Sequence, residues 1–270
     1  MLKDENPPES GLNQTTKSNI PIREILGLRL HAITEDDVVA VCGQSIHNRQ
    51  RLLIGVVNAA KIVNMRKSSL LYDSVTSSDM IVADGMSVVW ASRILGEPLP
   101  GRVNGTNLFE KLLKLADEHS CGVYFLGARE EVLQEMCQRI QSRHPNLAIV
   151  GRRNGYFSDK DSAAVADEIS KSGADMLFVG ITSPKKEIFM AQYGEKLDVL
   201  VVHGVGGSFD VLAGEVKRAP VSWQNAGFEW LYRVIQEPRR MWKRYLVTNS
   251  IFVWLVISGL MRRNRGNDLQ

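Results

Sequence analysis

Residues 78–91, SDMIVADGMSVVWA, set a carboxylate where a short apolar run gives way to a longer mixed one. Met80, Ile81, Val82 and Ala83 are β-prone, whereas Met86, Val88, Val89, Trp90 and Ile94 follow at a spacing that reads as helix. Asp84-Gly85 is therefore a strand-to-helix corner. A carboxylate there can cap the helix, and a glycine can relieve backbone strain. In an open parallel α/β sheet, such corners at the carboxyl ends of strands are also where ligands bind. The corner alone leaves both readings open.

Between Leu52 and Val205 the same alternation repeats. Strand-like runs LLIGVV, MIVA, GVYFLG, LAIVG, DMLFVG and VLVVHGVG are separated by stretches such as GTNLFEKLLKLADEH, whose apolar residues recur at three and four. This predicts an α/β fold, a Rossmann-like parallel sheet covered by helices. Several runs end in small or polar residues: Asn58, Asp84-Gly85, Gly127, Gly180, and Gly204 to Gly207. In a parallel sheet these ends share one edge. Glycines there let backbone N–H groups approach a phosphate, so Gly127, Gly180 and Gly206 are candidate contacts for a nucleotide or nucleotide sugar. No G-x-G-x-x-G follows the first of these strands and no G-x-x-x-x-G-K-[ST] occurs, which disfavours a dinucleotide oxidoreductase and a P-loop NTPase.

The 270 residues, 44% hydrophobic and 23% charged, suffice for one principal core with additions. Three cysteines without C-x-x-C spacing indicate neither a disulfide framework nor a zinc knuckle. The five histidines are scattered and form no H-E-x-x-H, so neither a protein-bound metal nor a cofactor is expected. Residues 1–22 are polar and rich in Pro, Ser and Asn, and are expected to form a disordered tail ahead of a catalytic domain over 23–226. The remaining 227–270 read as a basic, aromatic appendage.

That appendage concentrates the charge. Residues 233–270 carry 8 Lys+Arg against 2 Asp+Glu, whereas residues 1–232 carry 25 against 28. An acidic body thus bears a tail of +6. Within the tail the apolar stretch from Ser250 to Met261, if helical, spans about 18 Å against a hydrocarbon core of about 30 Å. It is expected to be too short to cross a membrane and to lie at the interface, with Trp242 and Trp254 at headgroup depth. A helix packed on the core with a solvated basic face is the plainer alternative. Nucleic acid is not an expected partner, because the basic residues are confined to one terminus and no recognised module is present.

The chain closely resembles the WecG/TagA/CpsF family of bacterial glycosyltransferases over roughly residues 26–248. The resemblance rests on VVNAAKIV, IVADGMSVVWASRILGEPLPGRVNGT, YFLG, GYF, FVGITSPKKE, GVGGSFDVLAGEVKRAP and EWLYRVIQEPRR. It implies an inverting, metal-independent transfer of a sugar, commonly N-acetylmannosamine, from UDP to a polyprenyl-diphosphate-linked sugar. It implies action as a peripheral protein at the cytoplasmic face of the bacterial inner membrane, and leaves the oligomeric state open, a homo-oligomer included. By the same resemblance Asp84 is the general base, Asn58 faces it across the cleft, Arg102 and Asp210 line the pocket, and Arg233 and Arg240 balance the departing diphosphate. From the residues alone Arg102 could equally tether a loop, and Asp210 could cap a helix.

The chain departs from the family pattern at a few positions. A common Thr two residues before Asn58 is Val56, a Gln is Lys186, an Asp after Gly-Thr is Asn107, and a basic position is Lys243 rather than Arg. Lys186 places a cation near the expected donor, which opens a plain hexose such as glucose, or a uronic acid, as alternatives to N-acetylmannosamine. A catalytically inactive sugar-nucleotide-binding scaffold is the competing reading from another class, and it rests only on Val56 and Lys186.

Overall fold

The computed structural model describes residues 19–236 and 238–267, side chains included except at 225, 240, 241, 244 and 263–267. The chain enters through a hairpin of β1 (Ile22–Ile25) and β2 (Leu28–His31), then α1 (Glu35–His47). Next come β3 (Leu52–Val57), α2 (Ala59–Met65), α3 (Ser69–Thr76), β4 (Met80–Ala83), α4 (Met86–Ile94) and α5 (Gly105–Glu118). The second half holds β5 (Gly122–Gly127), α6 (Glu130–Arg143), β6 (Ala148–Arg153), α7 (Ser162–Lys171), β7 (Met176–Gly180), α8 (Lys185–Tyr193) and β8 (Val201–Gly204). It closes with α9 (Ser208–Ala213), α10 (Val221–Asn225), α11 (Glu229–Gln236) and α12 (Pro238–Asn267).

Strands β3 to β8 form one parallel sheet in the order β4-β3-β8-β7-β5-β6. All six runs read as strands from the sequence are in it. Helices cover both faces, which is why β3, β5 and β7 read as nearly continuous apolar runs rather than alternating ones. One face packs Ile54, Val82, Phe125 and Phe178 against Phe109 of α5 and Phe209 of α9. The other packs Leu126, Val179 and Val202 with residues of α7 and α8, while Val57, Ile81 and Ala83 meet α2, α4 and α12.

The hairpin was not expected. Its turn is Leu26-Gly27, both residues with positive φ (54° and 78°), and it lacks the Asn-Gly or Asp-Gly that normally announces such a turn. It lies along β4, where Nδ1 of His31 accepts the N–H of Ile81 at 3.1 Å, and so covers part of an exposed sheet edge. Of the expected tail 1–22, residues 1–18 lie outside the described residues. Ile20 is already buried in the core, and Ile22 opens β1.

The C-terminal element is longer than its apolar core suggests. Helix α12 runs 30 residues, about 45 Å at 1.5 Å per residue. Its segment Tyr245–Arg262 has a mean hydropathy of 1.4, so by length and composition it meets the requirement for a membrane span. The expectation of a segment too short to cross is corrected on that point. The expectation counted only the unbroken apolar run, whereas a helix propagates through Thr248 and Asn249 and ends the segment on the exposed Arg262. One face of α12 is nonetheless docked on the body: Phe252, Leu255 and Val256 are buried with residues of the hairpin, α2 and α4.

Candidate active site

The carboxyl ends of β4 and β3 set Asp84 and Asn58 side by side. Val57 and Ala83 are in register, and the N–H of Asp84 donates to the carbonyl of Val57 at 2.9 Å. Asp84 does not cap its own helix. The N-cap of α4 is Gly85, which has no side-chain cap, and Oδ1 of Asp84 instead accepts the N–H of Gly105 at 3.2 Å. Gly105 opens α5, whose cap is Asn104 through hydrogen bonds of 3.0 Å to the N–H groups of Thr106 and Asn107. The loop before α5 is held against the sheet by Val103, whose N–H donates to the carbonyl of Ala83 at 2.8 Å. That bond brings Arg102 and Asn104 beside Asp84.

The Asp84 carboxyl has its pKa raised to about 6, by burial first and with the negative charge of Glu229 helping. The Gly105 N–H and the guanidinium groups of Arg233 and Arg102 only partly offset it. Asn58 is more constrained. Its Oδ1 caps α2 by accepting the N–H of Lys61 at 2.9 Å, so its amide NH₂ is the end available to a ligand.

Glu229, not singled out from the sequence, joins the appendage to this corner. Its Oε2 accepts from Nη1 of Arg102 at 3.2 Å and from Nδ2 of Asn104 at 3.1 Å, and its Oε1 lies 3.9 Å from Nη2 of Arg233 one turn further along α11. The Arg102 and Glu229 side chains are 16% and 14% exposed, so this is a largely desolvated pair. Arg102 thus does act as a tether, but the element it holds is α11. Gly227 makes the approach possible: at φ 77°, a Cβ there would sit 2.8 Å from Cβ of Met86. The available signal was the Glu229–Arg233 spacing of four in EWLYRVIQ. The side chain of Arg240 lies outside the described residues.

Beneath the edge, α2 and α8 bring three charges together. Nζ of Lys61 lies 2.7 Å from Oε1 of Glu187 and donates to the carbonyl of Val56 at 2.6 Å; Nζ of Lys186 lies 3.6 Å from the same carboxylate oxygen. Burial first, and then neighbouring Lys61, lower the pKa of Lys186 to about 8 against the opposing pull of Glu187 and Asp84. Burial would raise Glu187, but the two ammonium groups outweigh it and leave the carboxyl below its ordinary range. His203, on β8, is wholly buried and held neutral, with its pKa pushed down to about 3 by desolvation and then by Lys186.

The expected glycine contacts divide. A Cβ at Gly127 would meet the Gly180 backbone at 2.4 Å, and one at Gly180 would meet the ring of Phe209 at 2.5 Å, so close packing already accounts for both glycines. Gly206 has φ 56° and space around it, with Nζ of Lys186 3.9 Å from an ideal Cβ. Asp210 lies in the first turn of α9, which is tied to α5 through a 2.9 Å hydroxyl contact between Ser208 and Thr106. Asn107 accepts from Arg218, which also pairs with Glu110 at 3.2 Å, so the amide keeps a tether that a carboxylate would make. Lys185 donates to the carbonyl of Phe157 and lies 4.1 Å from the centre of its ring, which fixes the GYF segment beside α8. Among the described residues no group of three His, Cys, Asp or Glu side chains is placed to hold a metal ion.

Comparison with known proteins identifies what the chain is similar to. Two relatives are named N-acetylglucosaminyldiphosphoundecaprenol N-acetyl-β-D-mannosaminyltransferase. The one from Bacillus spizizenii is 41% identical over 65% of this chain and 67% of its own length. The one from Bacillus subtilis is 36% identical over 72% of this chain and 75% of its own length. A sequence model of the glycosyl transferase WecG/TagA/CpsF family matches residues 23–266, which takes in the sheet, the Asp84 corner and the docked C-terminal helices, and the chain belongs to that family of glycosyltransferases.

Proposed function

We propose that this glycosyltransferase moves a sugar, N-acetylmannosamine in the first instance, from a UDP-sugar to a polyprenyl-diphosphate-linked sugar, with inversion and without a metal ion. The single observation that carries the reading is Asp84: a half-buried carboxylate with its pKa near 6, at a parallel-sheet edge, beside two guanidinium groups. A base poised near the working pH can take a proton from an acceptor hydroxyl as that oxygen attacks the anomeric carbon. The new C–O bond forms as the bond to the UDP β-phosphate breaks on the opposite side. The leaving diphosphate keeps the bonding electron pair, and the proton rests on Asp84 until solvent removes it. Arg233 and Arg240 supply positive charge toward the diphosphate, as guanidinium groups can where no cation is present. Asn58 offers its amide NH₂ to the sugar, and Arg102, Gly206 and Asp210 shape the pocket, with Gly127 and Gly180 serving the packing behind it.

The names of the two relatives support both the donated sugar and the lipid-linked acceptor. Lys186 favours a second donor class. A buried ammonium beside the open backbone at Gly206 can donate to hydroxyl or carboxylate oxygens but cannot accept from an N-acetyl N–H, which keeps glucose-like hexoses and uronic acids in view. The docked α12, with Val253, Trp254 and Ile257 exposed, supports a peripheral position at a membrane surface, which the proposal takes to be the cytoplasmic face. The test is turnover with a panel of UDP-sugars and a short-chain polyprenyl-diphosphate sugar, read by mass spectrometry with and without EDTA. Transfer from UDP-N-acetylmannosamine that survives the chelator is the expected result. A rate lost to EDTA and restored by Mg²⁺ or Mn²⁺ would reject the metal-independent mechanism.

A further inference from the structure

A groove of about 710 Å³ opens between the hairpin, the end of α2 and α12. Leu26, Leu28, Ile62, Met65, Trp254 and Leu255 give it an apolar lining, and Arg66 and Arg262, both exposed, border it together with Glu24. Its size suits part of a long apolar chain rather than all of one. Helix α2 belongs to both the groove and the candidate active site. Its cap, Asn58, sits beside Asp84, while Ile62, Met65 and Arg66, at i, i+3 and i+4, face the groove. The eight residues from Asn58 to Arg66 rise about 12 Å. That is close to the length of one sugar plus a diphosphate.

We infer that the groove binds the isoprenoid chain of the lipid-linked acceptor next to its diphosphate, and that Arg66 meets the diphosphate. This rests on the acceptor reading proposed above. With the acceptor's sugar at Asp84, its diphosphate lies alongside α2 and its first isoprene units reach Ile62 and Met65. Arg66 gives one N–H to the carbonyl of Leu26 at 2.8 Å, and its remaining donors suit phosphate oxygens. From the groove the chain passes to Val253, Trp254, Ile257 and Met261, each more than half exposed on α12, and so into lipid without crossing water. The chain's own residues 1–18 are a poor occupant, since Met1, Leu2 and Leu12 are their only large apolar side chains.

Two measurements test this. In the first, an isoprenoid phosphate bearing a photoreactive group is cross-linked to the full chain and the adducts are mapped by mass spectrometry. Adducts are expected within 26–28, 62–66 and 254–262, to be competed away by undecaprenyl phosphate and not by phosphatidylglycerol. Equal competition by phosphatidylglycerol would make the groove a general site for bilayer lipid, and adducts elsewhere would overturn the proposal. In the second, Ser258→Trp fills the groove from α12, with Ser258→Ala as its control and circular dichroism to confirm folding. The ratio of kcat/KM for a long-chain over a short-chain acceptor should fall about tenfold in Ser258→Trp and hold in Ser258→Ala. An unchanged ratio in a folded Ser258→Trp protein would also overturn the proposal. If neither acceptor is turned over, the proposed function has failed, and the cross-linking still decides what the groove binds.

Discussion

The carboxylate of Asp84 is held where its charge is costly, and that cost is what would make it a base. The sign follows from its pKa, raised from 3.8 to about 6 by burial first. The folded chain binds this proton more tightly than the unfolded chain, so between about pH 4 and 6 stability falls as pH rises. We therefore expect Asp84→Asn to be at least as stable as the parent at pH 7.5, by about 1–3 kcal/mol at most, with the difference gone near pH 4. Turnover should fall by at least about a hundredfold while UDP affinity changes only a few-fold. Thermal melts at the two pH values and calorimetry beside turnover check this; a folded, fully active Asp84→Asn protein would leave Asp84 as the holder of Gly105 alone. Glu229 gives a second, independent handle. Its charge helps to raise the Asp84 pKa, so Glu229→Gln should move the acid limb of kcat/KM below pH 6. A limb that stays in place would mean that another group titrates there.

At the scale of elements, the appendage is less separable than its composition suggests. Phe252, Leu255 and Val256 of α12 are buried against the hairpin, α2 and α4, and Glu229 holds α11 against Arg102. Truncation after Gly227 would uncover that apolar face, so the shortened chain should aggregate at concentrations where the full chain stays soluble. Phe252→Ala should cost about 3 kcal/mol in denaturant unfolding, in keeping with a side chain only 4% exposed. A soluble truncation with an unchanged unfolding midpoint would show that the docking adds nothing to stability. The same elements show what could be read from sequence. All six strands of the sheet and the corner at Asp84 were legible, because apolar runs and strand-end residues are local signals. The hairpin was not, since Leu26 adopts a positive φ that its residue type does not advertise. Glu229 and the Lys61–Glu187 pair were missed for a different reason. Each gains its meaning from a partner far along the chain, Arg102 in one case and Glu187 of α8 reaching Lys61 of α2 in the other.

For the whole molecule, charge and apolar surface both point to membrane contact, and they can be separated experimentally. Residues 233–270 carry the surplus of positive charge, whereas the rest of the chain is slightly acidic. Attraction of such a tail to anionic lipid acts over about 10 Å at 0.1 M salt and about 3 Å at 1 M. The exposed Trp242, Val253, Trp254 and Ile257 add a contribution that salt does not screen. On vesicles containing phosphatidylglycerol, binding should therefore weaken between 0.1 and 1 M salt but persist. On neutral vesicles it should be weaker at 0.1 M and nearly independent of salt. Trp254→Ala should lower binding to both vesicle types by a similar factor, because it removes apolar area and leaves the charge intact. Co-sedimentation at the two salt concentrations measures all of these. Complete release from anionic vesicles at 1 M salt would mean that the tail is held by charge alone and that the exposed face of α12 serves another contact. Salt-insensitive binding to anionic vesicles would mean that the basic residues turn toward the body rather than the lipid, as Arg233 does in lowering the Asp84 pKa.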